Sequence, residues 1–174
     1  MKVIGVDPGL ASTGIGVVTG MGMHIDRFSY GSIQTRAHTC LPHRLKEIHE
    51  RLLQILTDEH PDLMVVEDVF SLEAFPSSGI VLGKVAGVVL LAAATQNIPA
   101  CEIATREAKQ VLTGNGNASK KQLEKSVRAR LSLTLPIKPD HASDALGLAM
   151  IGLLRHGDVL SSHGSSSFVQ NGSR

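Results

Sequence analysis

Two short runs each confine a charge to the end of an apolar stretch: Val3-Ile-Gly-Val-Asp7 and Leu63-Met-Val-Val-Glu67. Consecutive aliphatic residues bounded by the turn formers Pro8-Gly9 and Pro61-Asp62 read as strands of a sheet covered on both faces. A carboxylate closing such a strand costs free energy unless it is paired or bound to a cation. A third acid, Asp144 in His141-Ala-Ser-Asp144-Ala-Leu, stands at the start of an apolar helix. A chain with these runs must place its acids at the rim of a buried sheet.

The remaining order is consistent with that sheet. Lys2 to Asp7, Thr13 to Thr19 and His24 to Ile33 read as three strands in an antiparallel meander. From Leu41 to about His60, apolar residues at Leu41, Leu45, Ile48, Leu52, Ile55 and Leu56 follow helical spacing, with Glu47 and Arg51 paired on the outer face. Leu63 to Glu67 is the fourth strand, and Phe70 to Ser78 reads as a loop. Gly79 to Gln96 is a helix apolar nearly all round, expected to be sandwiched. Gly79, Gly83 and Gly87 share one of its faces, open either to sheet packing or to a second copy.

Pro99 to Ala104 is a short strand and Thr105 to Leu112 a helix. Ser119 and Gln122 form a capping box for a basic helix from Lys120 to Leu131. Pro136 to Pro139 breaks the chain before a last helix, Asp140 to His156, with Asp140 as its N-cap. Three strands followed by alternating helices and strands indicate an α/β domain over residues 1–156. Residues 157–174, half of them Gly or Ser, read as a disordered tail.

Composition bears on the partner and the compartment. The net charge is only +1, but seven basic residues lie between Arg106 and Arg130 against Glu107 and Glu124, a local +5. Such a stripe suits a solvated helix face or a phosphate backbone. Cys40 and Cys101 form no spaced motif and are expected to be reduced thiols. Met1-Lys2 runs straight into a strand pattern, and the apolar run Val85 to Ala94 is short for a membrane span. A cytoplasmic protein is expected.

Ile4-Gly-Val-Asp-Pro-Gly with Thr13-Gly-Ile-Gly-Val, Val66-Glu-Asp-Val-Phe, Ala108-Lys-Gln with the Gly114 to Gly116 loop and Lys120, and His141-Ala-Ser-Asp-Ala-Leu occur here in series. Over about residues 1 to 156 the chain resembles bacterial Holliday-junction resolvases of the RuvC type, within the ribonuclease H-like nucleases. The first motif alone also opens actin-like ATPases and sugar kinases. Those proteins need a second Asp-x-Gly loop and a second domain, which this chain lacks. A non-catalytic junction binder and a ribonuclease H acting on RNA–DNA hybrids are the other readings.

The resemblance implies a ribonuclease H-like fold with a five-stranded mixed sheet flanked by helices. It also implies a homodimer that grips four-way DNA and nicks two strands of like polarity at symmetric points. The 5′-phosphate and 3′-hydroxyl ends that follow can be ligated. The matching catalytic and metal positions are Asp7, Glu67, His141 and Asp144, which in the family hold two Mg²⁺, with Mn²⁺ able to substitute. The RuvAB branch-migration motor is the partner it implies.

Many family members carry Asp where this chain has His141. The imidazole is open to several roles: metal ligand, holder of water, base or phosphate contact. Its titration would make activity fall below about pH 6.5. Phe70 matches a position that stacks on a base at the opened junction centre. Lys109 and Lys120 match positions that contact DNA near the scissile phosphate, and Lys121, Lys125 and Arg128 are further candidates.

Overall fold

The computed structural model describes residues 1–68 and 76–157. Phe70, most of the expected loop around it and the Gly/Ser-rich tail from 158 lie outside the described residues. Five strands form one mixed sheet: β1 (Lys2–Asp7), β2 (Ser12–Met21), β3 (His24–Gln34), β4 (Leu63–Asp68) and β5 (Ala100–Ala104), in the order β3-β2-β1-β4-β5. The meander β1-β2-β3 is antiparallel, whereas β4 and β5 add in parallel on the other side of β1. Parallel neighbours need crossover helices, which the chain supplies between them.

Strand alternation divides the core in two. Ile4, Val6, Met64 and Val66 meet α1 (Leu41–Glu59) and α2 (Pro76–Thr95) on one face. Val3, Leu63 and Val65 meet α3 (Thr105–Thr113), α4 (Lys120–Arg130) and α5 (Asp140–His156) on the other. Helix α1 buries Ile48, Leu52 and Leu56 and carries the expected Glu47–Arg51 pair at 2.7 Å. Helix α4 has the expected capping box, with Ser119 and Gln122 exchanging side-chain and backbone bonds.

Two helix boundaries differ from expectation. Helix α2 begins at Pro76, three residues earlier than Gly79, because proline suits a first helical turn that needs no N–H partner. Helix α5 has Pro139 as its N-cap, and Asp140 is its first residue, paired with Lys138 at 2.6 Å. The lysine two residues upstream draws that carboxylate outward, away from the capping position.

Nor is α2 sandwiched. Val85, Val89, Ala92 and Ala93 enter the core, while Ile80 and Leu91 are exposed. A Cβ added at Gly83 or Gly87 would meet nothing within 4 Å, so these glycines do not seat the helix on the sheet. By length and composition Ser78–Thr95 could cross a membrane. Its inner face packs with α1, while its outer face is open. A helix apolar on every side carries no phase to say which side is covered.

Helix α5 approaches β1 and β2 backbone to backbone. A Cβ on Gly5 would lie 2.0 Å from the Ala145 carbonyl oxygen, and one on Gly16 would lie 2.5 Å from the Leu146 nitrogen. Small residues on the helix, Ala142, Ala145 and Ala149, are fully buried. No side chain separates helix from strand there. Gly5→Ala should therefore destabilise the chain by about 1–3 kcal/mol or more in denaturant unfolding. Gly31→Ala, with nothing within 4 Å, should be close to neutral. Equal unfolding midpoints for the two variants would refute this account of the contact.

Candidate active site

Val6 of β1 pairs with Val66 of β4, so Asp7 and Glu67 follow side by side at the same end of two parallel strands. Period-two alternation sends both to the face that carries Val3, Leu63 and Val65, under α5. Asp7 is only 5% exposed. Its partner across β2 is Gly14, where a Cβ would fall 2.1 Å from the His141 carbonyl oxygen. This missing side chain lets the first turn of α5 reach the end of β1.

His141 and Asp144 are three apart and share a helix face. The His141 Nδ1 lies 2.6 Å from Asp7 Oδ2, with the imidazole N–H donating to the carboxylate. Lys120, the first residue of α4, places Nζ 3.4 Å from Asp144 Oδ2. Thr105, at the junction of β5 and α3, donates its hydroxyl to Glu67 Oε1 at 2.6 Å. All four expected catalytic side chains thus belong to one cluster, drawn from β1, β4 and α5.

The cluster is electrostatically strained. Burial, and then the Asp7 carboxylate beside it, push the Glu67 pKa up to about 7; the Thr105 hydroxyl only partly opposes this. Burial also raises Asp144, against the pull of Lys120. The His141 imidazole is raised chiefly by its hydrogen bond to Asp7. Burial works against the charge on Lys120, but Asp144, Asp7 and Glu67 together outweigh it and raise the ammonium.

Among the described residues, no three His, Cys, Asp or Glu side chains close around a single point. Asp144 leans to Lys120 and Asp7 to His141, so the donors are held apart in ion pairs. The chemistry of the set nonetheless fits a hard divalent cation. Three oxygen donors face one rim, and a cation would offset both the burial and the neighbouring Asp7 charge that raise Glu67.

The basic candidates distribute around this rim. Lys109 and Lys120 line a cleft of about 50 Å³ together with Glu67, Thr105 and Asp144. Lys121 lines a neighbouring depression that shares Lys120 and Asp144. Arg128 has a structural task instead: its Nε lies 3.1 Å from Glu124 Oε1, an ion pair bent away from hydrogen-bond geometry, and its guanidinium donates to the Thr134 carbonyl. Phe70 lies outside the described residues. Sequence reasoning missed Thr105 and Gly14; a hydroxyl directly after a strand that neighbours Glu67 was the available signal for the first.

A carboxyl held higher in the folded chain than its ordinary 4.5 binds extra protons when folded, so its contribution is fully present at low pH and is lost as pH rises. For Glu67 the window runs from about 4.5 to about 7, and the span is on the order of 3 kcal/mol. Asp144 and His141 are shifted upward too and act with the same sign. The metal-free protein should therefore melt at progressively lower temperature from pH 5 to pH 7.5, with a shallower slope in Glu67→Gln. An unchanged slope in that variant would exclude Glu67 as the source.

Comparison with known proteins shows the family and the fold. The family model for crossover junction endodeoxyribonuclease RuvC matches residues 3–152. The RuvC protein of Brevibacillus brevis is 39% identical over 150 residues, covering 86% of this chain and 90% of that protein. That of Thermotoga petrophila is 36% identical over 166 residues, covering 95% and 100%. The solved structure of Thermus thermophilus RuvC in complex with a Holliday junction substrate superposes with a TM-score of 0.83 at 29% identity, over 91% of this chain and 96% of that one. The five-stranded mixed sheet is thus the ribonuclease H-like fold of these neighbours. The chain belongs to the crossover junction endodeoxyribonuclease RuvC family.

Proposed function

We propose that this chain is a cytoplasmic endonuclease that resolves four-way DNA junctions in recombination and repair. It acts as a homodimer, making two symmetric nicks in strands of like polarity and leaving 5′-phosphate and 3′-hydroxyl ends. The observation that carries the reading is the meeting of Asp7, Glu67 and Asp144 on one sheet rim beside Lys120. The likeness to a RuvC solved in complex with a Holliday junction substrate supports the same substrate.

Two divalent cations, Mg²⁺ with Mn²⁺ as a substitute, would be held by Asp7, Glu67 and Asp144, with His141 beside them. Such ions supply activation of the attacking water and stabilisation of the leaving oxygen. Asp7, fixed at the end of a central strand, would be a ligand on a rigid support. Thr105 orients Glu67, and the His141 Nδ1–H orients Asp7, leaving Nε2 to take a proton or contact the phosphate. An imidazole favours Mn²⁺ more than the usual carboxylate would. With Asp144 serving as a cation ligand, Lys120 would be free of its partner and available to the scissile phosphate, alongside Lys109. Phe70 supports the opened junction by stacking on a base. RuvAB is the motor that would deliver the substrate.

The open stripe of Ile80, Gly83, Gly87 and Leu91 on α2 suits the pairing of two copies, because an apolar face of this kind invites cover. Leu91→Glu should shift the protein from dimer to monomer in sedimentation. An unchanged dimer would place the interface elsewhere.

The decisive assay incubates the protein with a four-way junction, a linear duplex and an RNA–DNA hybrid in Mg²⁺ or Mn²⁺, with Asp7→Asn as control. Symmetric cutting of the junction alone, absent in the variant, is expected. Cutting of the hybrid instead, or ATP hydrolysis without any cutting, would overturn the reading.

A further inference from the structure

Beside the acidic cluster, across Lys120, lies a second depression of about 340 Å³, which no step described above uses. That volume falls within the roughly 300–1,000 Å³ of ligand-sized clefts. Its walls are Lys120, Lys121 and Glu124 from α4, Asp140, Ser143 and Asp144 from α5, and Pro136, Ile137 and Lys138 from the loop between them. Lys120 and Asp144 also line the catalytic cleft, so the two hollows adjoin.

The loop is held in place from beneath. Glu124 accepts the Ile137 N–H at 3.1 Å, Arg128 donates to the Thr134 carbonyl at 3.0 Å, and the Leu133 N–H reaches the Arg128 carbonyl at 3.0 Å. Ile137 is buried as an anchor, 1% exposed. The residue this clamp presents is Leu135, 77% exposed, the most open large apolar side chain in the described protein. Pro136 follows it on the wall of the hollow. Leu135, next in sequence to the wall residue Pro136, forms with it an exposed apolar surface that suits the face of a nucleobase.

The hollow sets three lysines against Glu124, Asp140 and Asp144, so what matters is which of them are already engaged. Among the described residues, Lys121 makes no ion pair, and Lys138 holds only the exposed Asp140, a contact of little strength that a phosphate can displace. Glu124 is already committed to Arg128 and Ile137. With a cation on Asp144, the cleft would present three lysines toward the strand leaving the catalytic rim.

We infer that this hollow is a nucleotide subsite: Leu135 and Pro136 pack against a base flanking the scissile phosphate, while Lys121 and Lys138 hold the adjoining phosphate. The inference rests on the proposed junction cleavage and extends it to the choice of cutting position. A base wedged at a fixed distance from the metal rim lets its own fit decide where the strand comes to rest.

The test uses the full chain in two assays. In the Asp7→Asn background, four-way junctions carry 2-aminopurine singly at each nucleotide around the cut site. Binding should change the fluorescence at one or two flanking positions, and adding Leu135→Ala should remove most of that change while Leu135→Met restores it. In the active protein, Leu135→Ala should flatten the distribution of cuts over a junction library with a randomised core. Lys138→Gln should reduce the slope of log affinity against log salt by about 1. If the parent cuts junctions but Leu135→Ala keeps the same fluorescence response and cut distribution, the subsite is wrong and the nuclease reading stands. A parent that neither binds nor cuts junctions overturns both.

Discussion

Helix α5 rests on β1 and β2 with backbone against backbone, and the active site exists because of that contact. Gly5, Gly14 and Gly16 remove every side chain that would lift the helix away. Ala142, Ala145 and Ala149 answer them from the helix side. Anything larger at Gly14 would push His141 outward and part it from Asp7. Van der Waals contact between main chains is stiff, because no rotamer can yield within it. The imidazole and the Asp144 carboxylate are therefore placed by the core and not by a loop.

That rigidity is spent on an unfavourable arrangement of charge. Asp7 and Glu67 come from neighbouring strands, so neither can retreat when both ionise. The protein tolerates this by letting Glu67 keep its proton near neutrality and by turning Lys120 onto Asp144. A site of this kind is built for something positively charged that comes from outside, and without it the fold carries part of its function as strain.

Much of this could be read from the chain. The strands were legible because aliphatic runs with terminal acids have few other places to go, and the antiparallel meander of the first three followed from their short connections. Helix α1 was legible because its apolar residues keep phase. Helix α2 was not, since a helix apolar all round does not say which side is covered, and only the structure shows Ile80 and Leu91 outside. Asp140 misled because Asp is a good cap, and a lysine two residues away outcompeted the helix end for it. Thr105 and Gly14 act through pairing across elements, which linear spacing does not encode. Arg128 looked like a phosphate contact in a basic stripe, but one carbonyl and one carboxylate occupy it.

The cluster gathers residues from the two ends of the domain: Asp7 from the first strand, Glu67 from the fourth, His141 and Asp144 from the last helix. During synthesis the first strand is long out of the ribosome before the helix that completes the site is made. A nascent or prematurely ended chain therefore carries acids without their roof, and β1 and β2 expose the bare glycine face meant for α5. The proposed site is thus complete only when the last described helix has been made. Order of manufacture acts as a safety catch, and the same order makes the unfinished chain a client for chaperones until α5 arrives.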